Sequence, residues 1–223
     1  MLNRVAVVVP AHNEQAVLPR CLAALRVAVR NLPPAEVIVV ADSCHDATAS
    51  IAARAGAHVI TTDARNVGRA RHAGMQHALR HGVDGLWLAT TDADSHVPAD
   101  WLDWHRHHAE AGADILTGTV TVADWRPRPQ AVRSHYETLY RRGVAGTAHH
   151  HVHGANLGCS ATAYQALGGF APLPHSEDHD LVDRARQANL TVVADATCPV
   201  TTSARRRNRA PHGFATYLDE LGV

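Results

Sequence analysis

The sequence predicts an α/β fold in which parallel strands are joined by crossover helices. Three observations carry this. Short β-branched runs alternate with segments of helical periodicity through the first hundred residues. Turn residues fall largely between those segments. Polar clusters follow directly on the strand runs, and ligands of open α/β sheets sit beyond the carboxyl ends of the strands.

In chain order, Val5 to Val9 reads as the first strand and stops at Pro10. Leu18, Leu22, Leu25 and Val29, spaced by four, three and four, make one apolar helical stripe. Val37 to Val40 is a second buried strand, Ala47 to Ala55 a helix, and His58 to Thr61 a third strand. Gly68 to Arg80 is helical in pattern and Leu86 to Ala89 is the fourth strand. Beyond Trp101 the alternation loosens. Ile115 to Val122 reads as a strand, Pro129 to Arg142 as a helix, and a Gly/His-rich loop leads into Gly154 to Ser160. A helix from about Asp178 to Ala188 and a strand at Leu190 to Val193 precede a basic tail. With no internal repeat, linker or composition break, residues 1–223 are expected to form a single domain.

The chain carries 21 Lys+Arg against 21 Asp+Glu, so no global field recruits nucleic acid or an anionic membrane. The local cluster Arg205, Arg206, Arg207 and Arg209 is either a solvated face or a phosphate contact. There are 18 His, crowded at His149, His150, His151 and His153, but without paired ligand spacing such a loop is expected to be exposed rather than a zinc site. Cys21, Cys44, Cys159 and Cys198 are too scattered to suggest a disulfide framework. The N-terminal apolar run is too short for a signal-peptide core, and no run approaches the roughly 20 apolar residues of a spanning helix. A soluble, cytoplasmic protein without a transmembrane segment is expected.

Four clusters follow the first four strands: Pro10-Ala11-His12-Asn13-Glu14, Ala41 to Thr48, Asn66 to Arg71, and Thr91 to Ser95. Singly, each has a plain structural reading as a helix cap or a turn. Together on one sheet edge they describe a pocket suited to a nucleoside diphosphate. Glu14 and Asp42 can accept bonds from ribose hydroxyls or a base N–H, and Arg71 can meet phosphate. Asp92 and Asp94 offer hard oxygen ligands for Mg²⁺ or Mn²⁺, which would stabilise a departing diphosphate as a Lewis acid.

The ordered set PAHNE, ADSCHDAT, NVGRARHAG and TTDADSHVPADWL, continued by GANLGCSATAYQALGGF and SEDHDL, resembles the family 2 glycosyltransferases of the GT-A fold. The resemblance runs from about Val5 to Arg206. It implies a Rossmann-like mixed sheet flanked by helices, with residues 1–100 as the nucleotide-binding half and 101–223 as the acceptor-binding half with a flexible tail. By the same resemblance Pro10, Ala11, His12 and Glu14 line the nucleoside, Asp42 contacts the base, and Gly68 and Arg71 border the pyrophosphate. Asp92, Ala93 and Asp94 would be the DXD metal and ribose motif. Gly154, Ala155, Asn156 and Glu177 would lie near donor sugar and acceptor, and Asp178 would be the catalytic base. His212, or else His153, is a candidate third metal ligand, and Arg205 or Arg206 could reach the phosphates as the tail closes.

The QxxRW signature of processive members is absent, so a single transfer from a UDP- or GDP-sugar to an unidentified hydroxyl acceptor is expected, with inversion. A dinucleotide oxidoreductase would need GxGxxG where PAHNE stands. A sugar nucleotidylyltransferase would want a glycine-rich, basic loop there. A non-catalytic nucleotide-sugar-binding protein on the same fold stays open, because fold does not fix function.

Overall fold

The computed structural model describes residues 2–30, 34–126, 128–206 and 213–222. The elements in order are β1 (Arg4–Ala11), α1 (Leu18–Ala28), β2 (Ala35–Asp42), α2 (Thr48–Arg54), β3 (His58–Thr62), α3 (Val67–Leu79), β4 (Leu86–Thr90) and α4 (Trp101–Glu110). There follow β5 (Ile115–Val122), α5 (Gln130–Arg142), β6 (Val144–Ala145), β7 (Ala148–His149), β8 (Leu157–Ser160), α6 (Ala161–Ala166), α7 (Glu177–Gln187), β9 (Val192–Thr202) and α8 (Phe214–Glu220).

A seven-stranded sheet runs β3-β2-β1-β4-β8-β5-β9. All pairings are parallel except those of β8, which runs antiparallel to both β4 and β5. The sheet is therefore mixed and mainly parallel. Side chains alternate across it as a pleated strand requires. Val5, Val7 and Val9 of β1 enter a core with Leu18, Leu22 and Leu25 of α1 and with Trp101 and Leu102 of α4. Ala6 and Val8 face the opposite core, with Met75 of α3, Tyr164 of α6 and Leu181 of α7.

Each of the first seven expected elements is present, displaced by a few residues at most. Three features depart from the sequence reading. Helix α4 fills the stretch where the alternation was expected to loosen, β9 extends nine residues past the expected end to Thr202, and the expected tail contains α8. Helix α8 packs on α5 through a third apolar cluster of Trp125, Val132, Tyr136, Ala204 and Leu218. The buried Arg128 fastens it: its guanidinium donates to the carbonyls of Ala204, Arg205 and Ala215 and pairs with Asp219.

Where β4, β8, β5 and β9 meet, Asn156 is fully buried. Its Nδ2 donates to the carbonyls of Thr119 and Cys198, both at 2.9 Å, and its Oδ1 accepts from Trp101 Nε1 at 2.8 Å. One amide thus ties α4, β5 and β9 together just before β8. Asn156→Ala would leave those three partners buried and unpaired, so unfolding free energy should fall by about 3 kcal/mol. In urea titration the midpoint should drop with an unchanged m-value.

Candidate active site

The carboxyl ends of β1, β2 and β4, with the loops after them, open into a cavity of about 1010 Å³ that α5, α7, α8 and the β7–β8 loop close from the other side. Pro10, Ala11, His12, Glu14, Asp42, Arg71, Asp92, Ala93, Asp94, Gly154, Ala155, Glu177, Asp178 and Arg205 all line it. Residues drawn from seven separate stretches of sequence therefore converge, as the strand-end argument expects.

The first cluster is fixed by a tautomer. His12 Nδ1–H donates to the Asp42 carbonyl at 2.7 Å, which leaves Nε2 to accept from Asn13 Nδ2 at 3.3 Å. Asp42 is buried and engaged on both oxygens. Oδ1 accepts from Ala64 N–H at 2.7 Å and Thr62 Oγ1 at 2.9 Å, and Oδ2 accepts from Asn66 N–H at 3.0 Å. Burial alone would raise its pKa, but the bonds from Ala64, Asn66 and Thr62 outweigh it and hold the carboxylate below its ordinary value. Asn66 then caps α3 by accepting from Arg69 N–H at 2.8 Å.

Arg71 is the hub. Its guanidinium, buried to 4% exposure, pairs with Glu177 at the start of α7 and with Asp92 Oδ1 at 2.7 Å. Burial works against the charge, but Glu177 and Asp92 overcome it and hold Arg71 cationic. Two glycines make room. A Cβ on Gly154 would collide with the guanidinium, and one on Gly68 would meet the Ala171 carbonyl at 2.7 Å and the Glu177 side chain at 3.1 Å. Gly68 therefore serves the close approach of α3 to α7 and is not part of the cavity lining.

A second cation closes on the other carboxylates. Arg205 Nη1 donates to both oxygens of Glu14, at 2.7 and 2.9 Å, and Nε lies 3.2 Å from Asp94 Oδ2. Burial pushes the Asp94 carboxyl up to about 6, with Arg205 opposing and Asp92 and Glu14 adding to the rise. The loop carrying Asp94 is pinned to β9 by reciprocal bonds between His96 and Thr201 at 2.7 and 3.0 Å. Asp178, half-buried, accepts from Gly154 N–H through Oδ2 at 2.7 Å and from His179 N–H through Oδ1 at 2.9 Å.

Some expected site residues lie elsewhere. Asn156 is behind the cavity, engaged by the sheet, for the reason given above. Glu177 is buried against Arg71, so it acts on the cavity through that guanidinium. Arg206 is exposed and outside the lining, and His212 lies outside the described residues. His153 lines the cavity, with Nε2 engaged by the Tyr140 hydroxyl at 3.0 Å. The His-rich loop is not the solvated segment expected from its sequence. His149 is buried, and His151 stacks on Tyr140 at a ring-centroid distance of 3.8 Å with planes 3° apart. Tyr136, Tyr140, Phe214 and Ser203 line the cavity and were not singled out from sequence; the Tyr136/Tyr140 spacing of four on α5 was the available signal.

The glycosyl transferase family 2 model matches residues 6–168, and the chain belongs to that family. It is 30% identical over 188 residues to the undecaprenyl-phosphate 4-deoxy-4-formamido-L-arabinose transferase of Salmonella choleraesuis, covering 82% of this chain and 51% of that one. The chain spans about half the length of the curated relatives it matches. Among solved structures it resembles S. aureus TarS 1-349 in complex with UDP (TM-score 0.69, 17% identity, 91% of this chain and 61% of that one). It also resembles the glucosyl-3-phosphoglycerate synthase of Mycobacterium tuberculosis in complex with Mn²⁺, UDP and phosphoglyceric acid (TM-score 0.64, 20% identity, 99% and 74%). The fold is that of the GT-A glycosyltransferases. Among the described residues no helix is long and apolar enough to cross a membrane.

Asp42 ties β2 to the loop before α3, so its charge should matter to the fold as well as to the cavity. Its folded pKa lies below the ordinary value of an aspartate. The stability it contributes is therefore present above that value and lost as pH falls through the lowered one. Asp42→Asn should cost roughly 1.5–3 kcal/mol near neutrality. The gap between wild type and variant should narrow below about pH 4 in unfolding curves.

Proposed function

We propose that this glycosyltransferase moves a sugar from a nucleoside-diphosphate sugar, a UDP- or GDP-sugar, to a hydroxyl acceptor by a single displacement with inversion. The observation that carries the reading is the position of Asp178. It stands on the lining of the same cavity as Arg71, Asp92 and Asp94, with its carboxylate oriented by two backbone N–H groups. A carboxylate accepting one bond on each oxygen keeps lone pairs for a third partner.

In this reading Pro10, Ala11, His12, Asp42 and Ala93 receive the nucleoside, and Arg71 and Arg205 face the diphosphate. Mg²⁺ or Mn²⁺ fits the remaining carboxylates. Asp94 and Glu14 already close around a positive charge, that of Arg205, while the Asp92 side chain, paired with Arg71 through Oδ1, is 37% exposed. Among the described residues no three His, Cys, Asp or Glu side chains converge to hold an ion by themselves. Asp92 and Asp94 would hold it through hard carboxylate oxygens. When bound, such an ion supplies Lewis-acid stabilisation of the leaving diphosphate.

Asp178 takes the proton of the acceptor hydroxyl as its oxygen bonds to the anomeric carbon. The anomeric C–O bond to phosphate breaks, and its electron pair leaves with the nucleotide. All four cysteines are free thiols, in keeping with a reducing cytoplasm as the site of action. The TarS and glucosyl-3-phosphoglycerate synthase complexes hold UDP, and the latter also Mn²⁺.

Two measurements test this. In a thermal-shift series with UDP and GDP, stabilisation should require Mn²⁺ or Mg²⁺ and should vanish in Asp94→Asn. Undiminished nucleotide binding in excess EDTA would sink the metal assignment. Asp178→Asn should keep nucleotide affinity within a few fold while transfer falls at least about a hundredfold, the lower range for loss of a general base. NMR of the product should show an inverted anomeric configuration, and a retained one would remove Asp178 from this role.

A further inference from the structure

Arg205 holds the carboxylates that a divalent cation would use. Its Nη1 donates to Glu14 Oε1 at 2.7 Å and Oε2 at 2.9 Å, and its Nε lies 3.2 Å from Asp94 Oδ2. The Glu14 and Asp94 side chains are 6% and 10% exposed, so little water competes for them. The negative charge of the pair is thus met by a group of the chain itself.

The grip on Arg205 is on its backbone. Its N–H donates to Ser203 Oγ at 3.2 Å, and its carbonyl accepts from Arg128 Nη2 at 2.9 Å. Arg128 extends the same hold to the carbonyls of Ala204 and Ala215, and so to α8. The Arg205 side chain, by contrast, is 29% exposed. It can leave Glu14 and Asp94 by rotation about its own bonds while Arg128 still fastens the segment.

Arg71, the other cation of the cavity, is placed differently. It is buried, and Glu177 stays on its guanidinium whatever Asp92 does. The partners of Arg205 lie instead at the mouth of the β1 and β4 loops, where Asp94 is the proposed metal ligand. A guanidinium and a divalent ion on one carboxylate repel each other, and the repulsion is strong where water is scarce.

We propose that Arg205 is a built-in competitor of the divalent cation for Asp94 and Glu14, so that the ion binds weakly by itself and tightly with a nucleoside diphosphate, which offers the displaced guanidinium another anion. The inference rests on the glycosyltransferase reading above and adds a regulation of the same site. Ion and nucleotide are then coupled, and the coupling is reciprocal. An ion that touches phosphate gives some coupling without any arginine. What Arg205 adds is a penalty on the ion when no nucleotide is present, and removing its charge lifts that penalty.

Calorimetry with Mn²⁺ on the full chain, with and without UDP or GDP, tests this on wild type, on Arg205→Gln, which removes the charge, and on Arg205→Lys, which keeps it. Without nucleotide, Mn²⁺ should bind Arg205→Gln at least about fivefold more tightly than wild type, the low end for coupled sites. Arg205→Lys should stay within about twofold of wild type. The gain in Mn²⁺ affinity on adding nucleotide should be smaller in Arg205→Gln by the same factor, as linkage requires. A second measurement needs no stable variant. In arginine side-chain NMR of the wild-type chain, the Nε–H resonance of Arg205 should shift on titration with diamagnetic Mg²⁺. Mn²⁺ binding to Arg205→Gln no tighter than to wild type, with nucleotide-dependent binding intact, would overturn the proposal and leave the metal-dependent donor reading standing. So would an Arg205 resonance unmoved by saturating Mg²⁺. Absence of Mn²⁺ binding in wild type and in Arg205→Gln, with and without nucleotide, would overturn the metal assignment itself and this proposal with it.

Discussion

The Arg71 guanidinium is the constraint on which the candidate site depends. It joins α3, α7 and the loop after β4 through Glu177 and Asp92, at a depth where an unpaired charge would be untenable. Other features then follow from geometry. Gly154 has to be glycine because the guanidinium occupies the space of a side chain, and Gly68 because α3 must come close to the loop before α7. Gly154 in turn presents its N–H to Asp178. A substitution at Arg71 would therefore disturb the proposed base and the proposed metal ligand together, which is why a loss of activity there would not by itself assign Arg71 a catalytic role.

Arg205 plays a matching part on the other side of the cavity. Glu14 and Asp94 come from beyond the ends of β1 and β4 and converge on one guanidinium. The compensating charge arrives from 191 residues downstream of Glu14. It is delivered by a segment that the buried Arg128 fastens to α8. The C-terminal part of the chain is thus no appendage to the first hundred residues, since it supplies the cation that pairs with Glu14 and Asp94.

Much of the frame was legible in the sequence because it rests on periodicity. The β-branched runs are hydrophobic enough to be buried on both faces, and the α1 stripe has one spacing and one partner face. The strand-end clusters were legible for the same reason, since topology carries whatever follows β1, β2 and β4 to one edge. Misreadings arose where a long-range partner decides the outcome. Asn156 has the residue type of a ligand contact, yet Trp101 and two carbonyls distant in sequence consume its amide. The histidines of the β7–β8 loop are polar by type and would be solvated alone. They are drawn in by Tyr140, whose ring offers a face and whose hydroxyl and carbonyl offer partners. Helix α4 was obscured because its three His and two Trp dilute the apolar stripe, although Trp101, Leu102 and His105 still mark one buried face.

Backbone strain gathers at the same edge. Among the described residues five non-glycines have positive φ, and four of them, Asn13, Ser43, Arg65 and Ser176, lie in loops bordering the cavity. A left-handed conformation costs a non-glycine residue roughly 1–2 kcal/mol. It persists where surrounding bonds over-determine it. Those bonds are present here. Asn13 Oδ1 accepts from His45 N–H at 2.8 Å, Ser43 Oγ donates to Asp63 at 2.7 Å, and Asp42 accepts from Ala64 and Asn66 on either side of Arg65. The network around Asp42 thus offsets the strain of three consecutive strand-end loops. The cavity edge is in this sense built before any ligand arrives, and binding would draw on an arrangement whose conformational cost folding has already met.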